Sequence, residues 1–255
     1  LAASPWAPLV AVGGQKQVIL YNSDTGALLG FIPFEHGQIN CLKFSRNGQF
    51  LLVAGGKGGQ SGKAVLHKVE TGEKVVEVGI ENDALLAADI SADQTQIAAG
   101  SPSKLVRIYS TADGKVLREI KKHTDWVTAV EFSPDGVLLA TGDRNGGLFA
   151  WEAGSGREFH TLRRHTAMVT DLSWRADSNL LASSSEDGTV RLWELENGGQ
   201  VKNWPAHGGG ALSVRFAPDG RLASVGRDRT PKLWDAAGKQ LKQFPALSDV
   251  GLRVA

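Results

Sequence analysis

Residues 122–152 read KHTDWVTAVEFSPDGVLLATGDRNGGLFAWE, and residues 164–194 read RHTAMVTDLSWRADSNLLASSSEDGTVRLWE. The two stretches are one text written twice. Each opens on a histidine after a basic residue, passes through an alternating apolar run and a turn, and closes on Trp-Glu. Working outward, Phe132, Trp174 and Phe216 end equivalent runs at spacings of 42 and 42, with Ile90 a further 42 upstream and Phe44 another 46. A second series behaves alike: Trp151, Trp193 and Trp234 are 42 and 41 apart, with Tyr109, His67 and Tyr21 upstream at 42, 42 and 46. Two independent markers with one period establish an internal repeat. The four extra residues fall in the glycine-rich insertion GGKGGQSGK at 55–63.

Within a repeat, short β-type runs alternate with turn chemistry. In the fourth repeat VTAVEF precedes Ser133-Pro134-Asp135-Gly136, where proline presets the turn and glycine supplies a positive φ. VLLATG, GLFAW and EFHTL complete four antiparallel strands, the content of a propeller blade. No stretch reads as a helix. The predicted fold is an all-β, six-bladed propeller forming a single domain over 1–255, with blades at about 1–34 plus 249–255, 35–79, 80–120, 121–162, 163–204 and 205–247. Residues 249–255 align with the first strand of the fourth repeat and supply the strand missing before Ser4-Pro5, so the two ends are complementary. Pairing them would close the ring and hide both sheet edges. The competing reading is a fragment of a seven- or eight-bladed ring. Leu1 is not an initiator, and a processed product or part of a longer polypeptide is the expectation.

Composition narrows the function. Lysine plus arginine total 28 against 27 acidic residues, a net charge of +1, so no global field draws the chain to nucleic acid or membrane. No apolar run approaches spanning length. Cys41 is the only cysteine, which excludes an internal disulfide and a thiolate zinc site. No cofactor is expected, and the chain is read as a monomer.

Three repeats carry a set that resembles catalytic machinery: His123, Thr141, Asn145 and Trp151; His165, Ser183, Asp187 and Trp193; His207, Ser224, Asp228 and Trp234. An enzyme needs one nucleophile in one cleft, whereas this set recurs and always travels with tryptophan. Indole only donates, so a hydroxyl can accept from it and donate onward to imidazole, whose other nitrogen donates to the acid. The expected role is structural. With EDGTVRLWE at 186–194 and RDRTPKLWD at 227–235 as its closest matches, the chain resembles the WD40-repeat family, propellers that serve as platforms for proteins or peptides. That resemblance implies a non-catalytic scaffold. Lys122 and Arg164 depart from it, standing where the family usually has glycine. So do repeats one to three, which lack the tetrad and are expected to hold by apolar packing alone. The wording of several repeats is also similar to bacterial proteins in which a propeller is joined to a c-type cytochrome module, although no CxxCH is present.

The resemblance implies that the loops before strand one and between strands two and three share a face. That upper face receives Trp126, Met168, Arg144, Glu186, Arg227 and Arg229, the composition of a partner-binding hot spot for a protein or peptide. The alternative for Trp126 is packing flat on its own blade. Lys121-Lys122 and Arg163-Arg164 suggest an acidic partner. GGKGGQSGK fails the P-loop test, since Ala64 follows Gly62-Lys63, and reads as a flexible loop on that face. The competing function is a calcium-dependent propeller hydrolase using Asp83, Asp125 and Asp249, which share one phase of the repeat just before strand one.

Overall fold

The strands predicted from alternation form in each repeat because turn residues close them at regular intervals. The computed structural model describes residues 1–251, 253 and 254. Among these there is no helix. The chain divides into two compact units, Leu1–Lys122 and His123–Val254.

In the first unit a seven-stranded antiparallel sheet, A, runs in sequence order through Ala2–Ala3, Leu9–Gly13, Gln15–Asn22, Leu28–Phe44, Phe50–Lys57, Ser61–Lys68 and Lys74–Glu81. Leu28–Phe44 is long enough to end one repeat and begin the next. Sheet B holds Ala87–Ile90, Gln96–Gly100, Val106–Ser110 and Val116–Ile120. In the second unit sheet C is formed by Val127–Phe132, Leu138–Asp143, Leu148–Glu152 and Glu158–Thr161, and sheet D by Val169–Trp174, Leu180–Ser185, Thr189–Glu194 and Gly199–Pro205. Sheet E has Ala211–Phe216, Leu222–Gly226, Lys232–Trp234 and Gln240–Gln243. Sheets B to E are four-stranded and antiparallel in sequence order, as propeller blades are.

One turn shows how the sequence folds locally. Ser133 Oγ donates to Asp135 and accepts from the Leu138 amide at 2.9 Å, while Gly136 sits at φ 76°. Ser45 and Ser91 repeat this pattern with Asn47 and Asp93. Register between the third and fourth strands breaks at Tyr21, His67, Tyr109, Trp151, Trp193 and Trp234 alike. Each marker residue of the 42-residue series is therefore a β-bulge, a site that re-aims a side chain.

The core of the second unit lies between neighbouring sheets. Leu138, Ala140 and Leu148 of sheet C meet Leu172, Trp174, Leu181 and Trp193 of sheet D in one buried cluster. Hydroxyls key the sheets together: Thr128 Oγ1 donates to Val169 O at 2.6 Å, and Thr170 Oγ1 to Ala211 O at 2.8 Å.

Two expectations are corrected here. The insertion at 55–63 is not a loop but a ladder, with Gly55 opposite Lys63, Gly56 opposite Gly62 and Lys57 opposite Ser61. Glycine is needed because a Cβ at Gly55 would lie 1.9 Å from Gln38 O and one at Gly56 2.0 Å from Ser61 O. Residues 249–251, 253 and 254 form no strand. Val254 N donates to Ser213 Oγ at 3.2 Å and the Arg253 side chain reaches Asp171 at 2.7 Å. Leu252 and Ala255, part of the same expected strand, lie outside the described residues.

Candidate functional site

Sheets C, D and E each bury a four-membered network. In D, Trp193 Nε1 donates to Ser183 Oγ at 2.8 Å, Ser183 Oγ stands 2.8 Å from His165 Nε2, and His165 Nδ1 donates to Asp187 at 2.8 Å. In E, Trp234, Ser224, His207 and Asp228 are joined at 2.8, 2.7 and 2.8 Å. In C, Trp151 and His123 both meet Thr141 Oγ1 at 2.8 Å, but the acid is not Asn145. His123 Nδ1 donates to Asp143 Oδ2 at 2.9 Å, and Asp143 Oδ1 accepts the Asn145 and Gly147 amides. A carboxylate at either of two turn positions reaches the same imidazole. Sheet C uses the first, where D and E have Ser185 and Gly226.

The hydroxyls of Thr141, Ser183 and Ser224 belong to residues that are 0% exposed and are engaged on both sides. No substrate carbonyl can reach them, so the constellation is an anchor between strands. Burial pushes Asp187 up, but hydrogen bonds from His165 and Thr189 outweigh it and hold the carboxyl far below its usual range. Burial lowers His165 and His207, against the pull of Asp187 and Asp228. These groups therefore stand as neutral imidazole beside carboxylate.

A pH dependence follows. Imidazole in the unfolded chain takes up a proton below about pH 6.5, which folded His165 and His207 resist, so stability falls as pH drops through that value. A second loss begins below about pH 4, where unfolded carboxylates protonate before folded Asp143, Asp187 and Asp228. Melting temperatures from pH 8 to 4 are the check. The parent should lose more between pH 7 and 5 than a His165→Gln/His207→Gln variant, and parallel curves would place the loss elsewhere.

A polar anchor that sequence reasoning missed joins sheets A and B, correcting the expectation of apolar packing alone in the first three repeats. The Tyr109 hydroxyl donates to the Glu81 carboxylate at 3.1 Å, and Arg107 Nη1 reaches Glu81 at 2.7 Å. Burial and the Glu81 charge push the phenol up, keeping it a donor. The signal was available: Glu81 lies 42 residues before His123 and Tyr109 lies 42 before Trp151, so acid and phenol replace imidazole and indole in phase.

Above the networks of the second unit, Trp126 is 41% exposed and Arg144 Cζ lies 4.7 Å from its ring centroid. The backbone sets this pair, because Arg144 N donates to Trp126 O at 2.9 Å. In the next repeat the same bond joins Glu186 N to Met168 O at 2.9 Å, which puts Met168 and Glu186 in equivalent positions. The Glu186 carboxylate pairs with Arg227, and Arg229 is exposed at φ 60°. The basic pairs are engaged locally: Lys121 meets Glu119 at 3.0 Å, and Arg163 lies over the Phe149 ring at 5.5 Å.

The carboxylates considered for calcium are turned to local capping. Asp83 accepts the Gly59 and Ala84 amides, Asp125 that of Trp126, and Asp249 that of Val250. Among the described residues no group of three or more His, Cys, Asp or Glu is placed to hold a metal ion. A turn that needs an acceptor accounts for the phase that Asp83, Asp125 and Asp249 share in the repeat.

With this geometry in hand, comparison with known families identifies four WD domain, G-beta repeats at residues 29–60, 114–152, 156–194 and 198–235, together more than half of the chain. Each of the last three matches ends one residue past the marker tryptophan. The chain belongs to the WD40-repeat family. A search of curated proteins finds no significant match. Members of the family typically act as interaction scaffolds and are generally non-catalytic.

Proposed function

We propose that this chain is a non-catalytic interaction scaffold that binds a protein or peptide on the surface carrying Trp126, Arg144, Met168, Glu186, Arg227 and Arg229. The exposed Trp126 ring capped by Arg144 carries the reading. Tryptophan and arginine are the residues most enriched where binding energy concentrates, and a cation over indole keeps the ring presented in one orientation. Glu186–Arg227 is a solvent-facing pair that orients the rim and contributes little stability. Within this proposal the architecture is a single six-bladed propeller domain, supported by six bulged marker positions at one period.

The test is affinity capture from native lysate with mass-spectrometric readout, comparing the parent with a Trp126→Ala/Arg144→Glu variant of matched melting temperature. A protein held by the parent and depleted at least tenfold with the variant is the expected result, since loss of one hot-spot residue removes about 2 kcal/mol or more. Equal capture by both would move the binding surface elsewhere.

A further inference from the structure

The turn after the first strand of a repeat ends on a solvent-facing position. In four repeats it is polar, with Gln49, Thr95, Asn179 and Arg221 all exposed. In sheet C the same position holds Val137, which is 60% exposed. Val137 lies in a groove of about 810 Å³ between sheets C and D, together with Asp135, Phe159, Asn179 and Glu196. Phe159 is 42% exposed, so the groove presents two apolar side chains to solvent. It lies at the opposite end of the Val127–Phe132 strand from Trp126, about 20 Å away by the rise of six extended residues.

The walls are fixed in the free chain. Asp135 N donates to Ser178 Oγ at 3.1 Å and His160 Nε2–H to Leu195 O at 2.9 Å, so two bonds cross from sheet C to sheet D. Leu138 and Leu195 beneath them belong to the buried cluster that the two sheets share. Walls held in this way lose little freedom when a ligand arrives. Charge then selects the ligand. Among the described residues the groove is lined by the carboxylates of Asp135, Glu152 and Glu196 and by no lysine, arginine or histidine. Glu152 is taken by Arg157 at 3.0 Å. Asp135 is not neutralised: burial pushes its carboxyl up, but uncharged donors, Ser133 Oγ and the Val137 amide, outweigh it and keep it an anion. Glu196 stands exposed on the sheet D side. Carboxylates beside an apolar patch are complementary to a ligand that is both cationic and apolar.

We propose that this groove is a docking surface for an extended segment of a partner protein, with an apolar side chain against Val137 and Phe159 and a lysine or arginine against Asp135 and Glu196. It is separate from the surface that carries Trp126 and does not rest on it. The acidic rim disfavours nucleic acid and anionic lipid, whose phosphates it repels.

The experiment is a fluorescence-anisotropy titration of the full chain against a labelled peptide of alternating leucine and arginine, with two control peptides in which serine replaces leucine or glutamate replaces arginine. Saturable binding of the first is expected, with each control at least tenfold weaker. Val137→Arg and Glu196→Lys should each weaken the first peptide about tenfold, while Trp126→Ala leaves it unchanged. Both substitutions are at exposed positions, and Val137→Arg installs the residue that sheet E already carries as Arg221. Should it still fail to fold, Val137→Asn installs the sheet D residue, Asn179, and is expected to weaken the peptide in the same direction. Absence of saturable binding, equal affinity for either control, undiminished binding to the groove variants, or loss of binding in Trp126→Ala would each overturn the proposal.

Discussion

Trp193→Ala is expected to destabilise the second unit by about 3–5 kcal/mol, the range for deleting a buried tryptophan side chain. Trp193 is 2% exposed and belongs to the cluster that joins sheets C and D, so the void it leaves opens between two sheets. The substitution also removes the indole donor from Ser183. Ser183→Ala separates the two contributions, because it keeps the packing and breaks only the network at its hinge. Its expected cost is about 1–3 kcal/mol, from partly unpaired His165 and Trp193. Urea denaturation followed by circular dichroism reads both variants. A Ser183→Ala chain that unfolds with the parent would show that the network adds nothing to packing.

Gly226→Ala should cost about 3 kcal/mol, at the upper end of overpacking penalties, because what the new methyl meets cannot withdraw. A Cβ there would lie 2.5 Å from Gly210 O and 2.5 Å from His207 Cβ. The first atom is fixed by the Arg227 amide at 3.0 Å, and the histidine is held by Ser224 and Asp228. Equivalent positions hold Asp143 in sheet C and Ser185 in sheet D, so the demand for glycine is local to the 208–210 loop. Gly154→Ala, where a Cβ meets nothing within 4 Å, is the matched control and should be near neutral. If the two variants melt together, the loop yields and the close approach is soft.

Most of the fold was legible because a repeat displays its rules several times. The two marker series gave the period, and every residue of the second falls on a bulge, a feature that alternation alone does not show. Turn chemistry placed the strand ends, since Ser-x-Asp/Asn before glycine closes a turn wherever it stands. The networks were legible down to hydroxyl, imidazole and indole, which sit at constant offsets. The acid in sheet C was not, because Asp143 and Asn145 are two residues apart on one turn and only coordinates decide which reaches His123. The glycine insertion misled for a related reason. Glycine-rich sequence reads as a loop, but here glycine allows backbones to approach closer than a Cβ would permit, and the strands run on. Tyr109 and Glu81 escaped because a search for the tryptophan network passes over a substitution that changes both partners together.

The hydroxyl keys of Thr128 and Thr170 imply something about the ancestry and engineering of this chain. Sheets C and D each reach the following sheet through a threonine donor aimed at a carbonyl and a shared apolar seam. Such nearest-neighbour coupling makes the array modular: a duplicated repeat arrives already carrying the lock for the copy after it and the keyhole for the copy before. Lengthening by gene duplication then keeps the threonine joints intact, and the same grammar lets a transplanted repeat be accepted where the threonine and its carbonyl remain in phase.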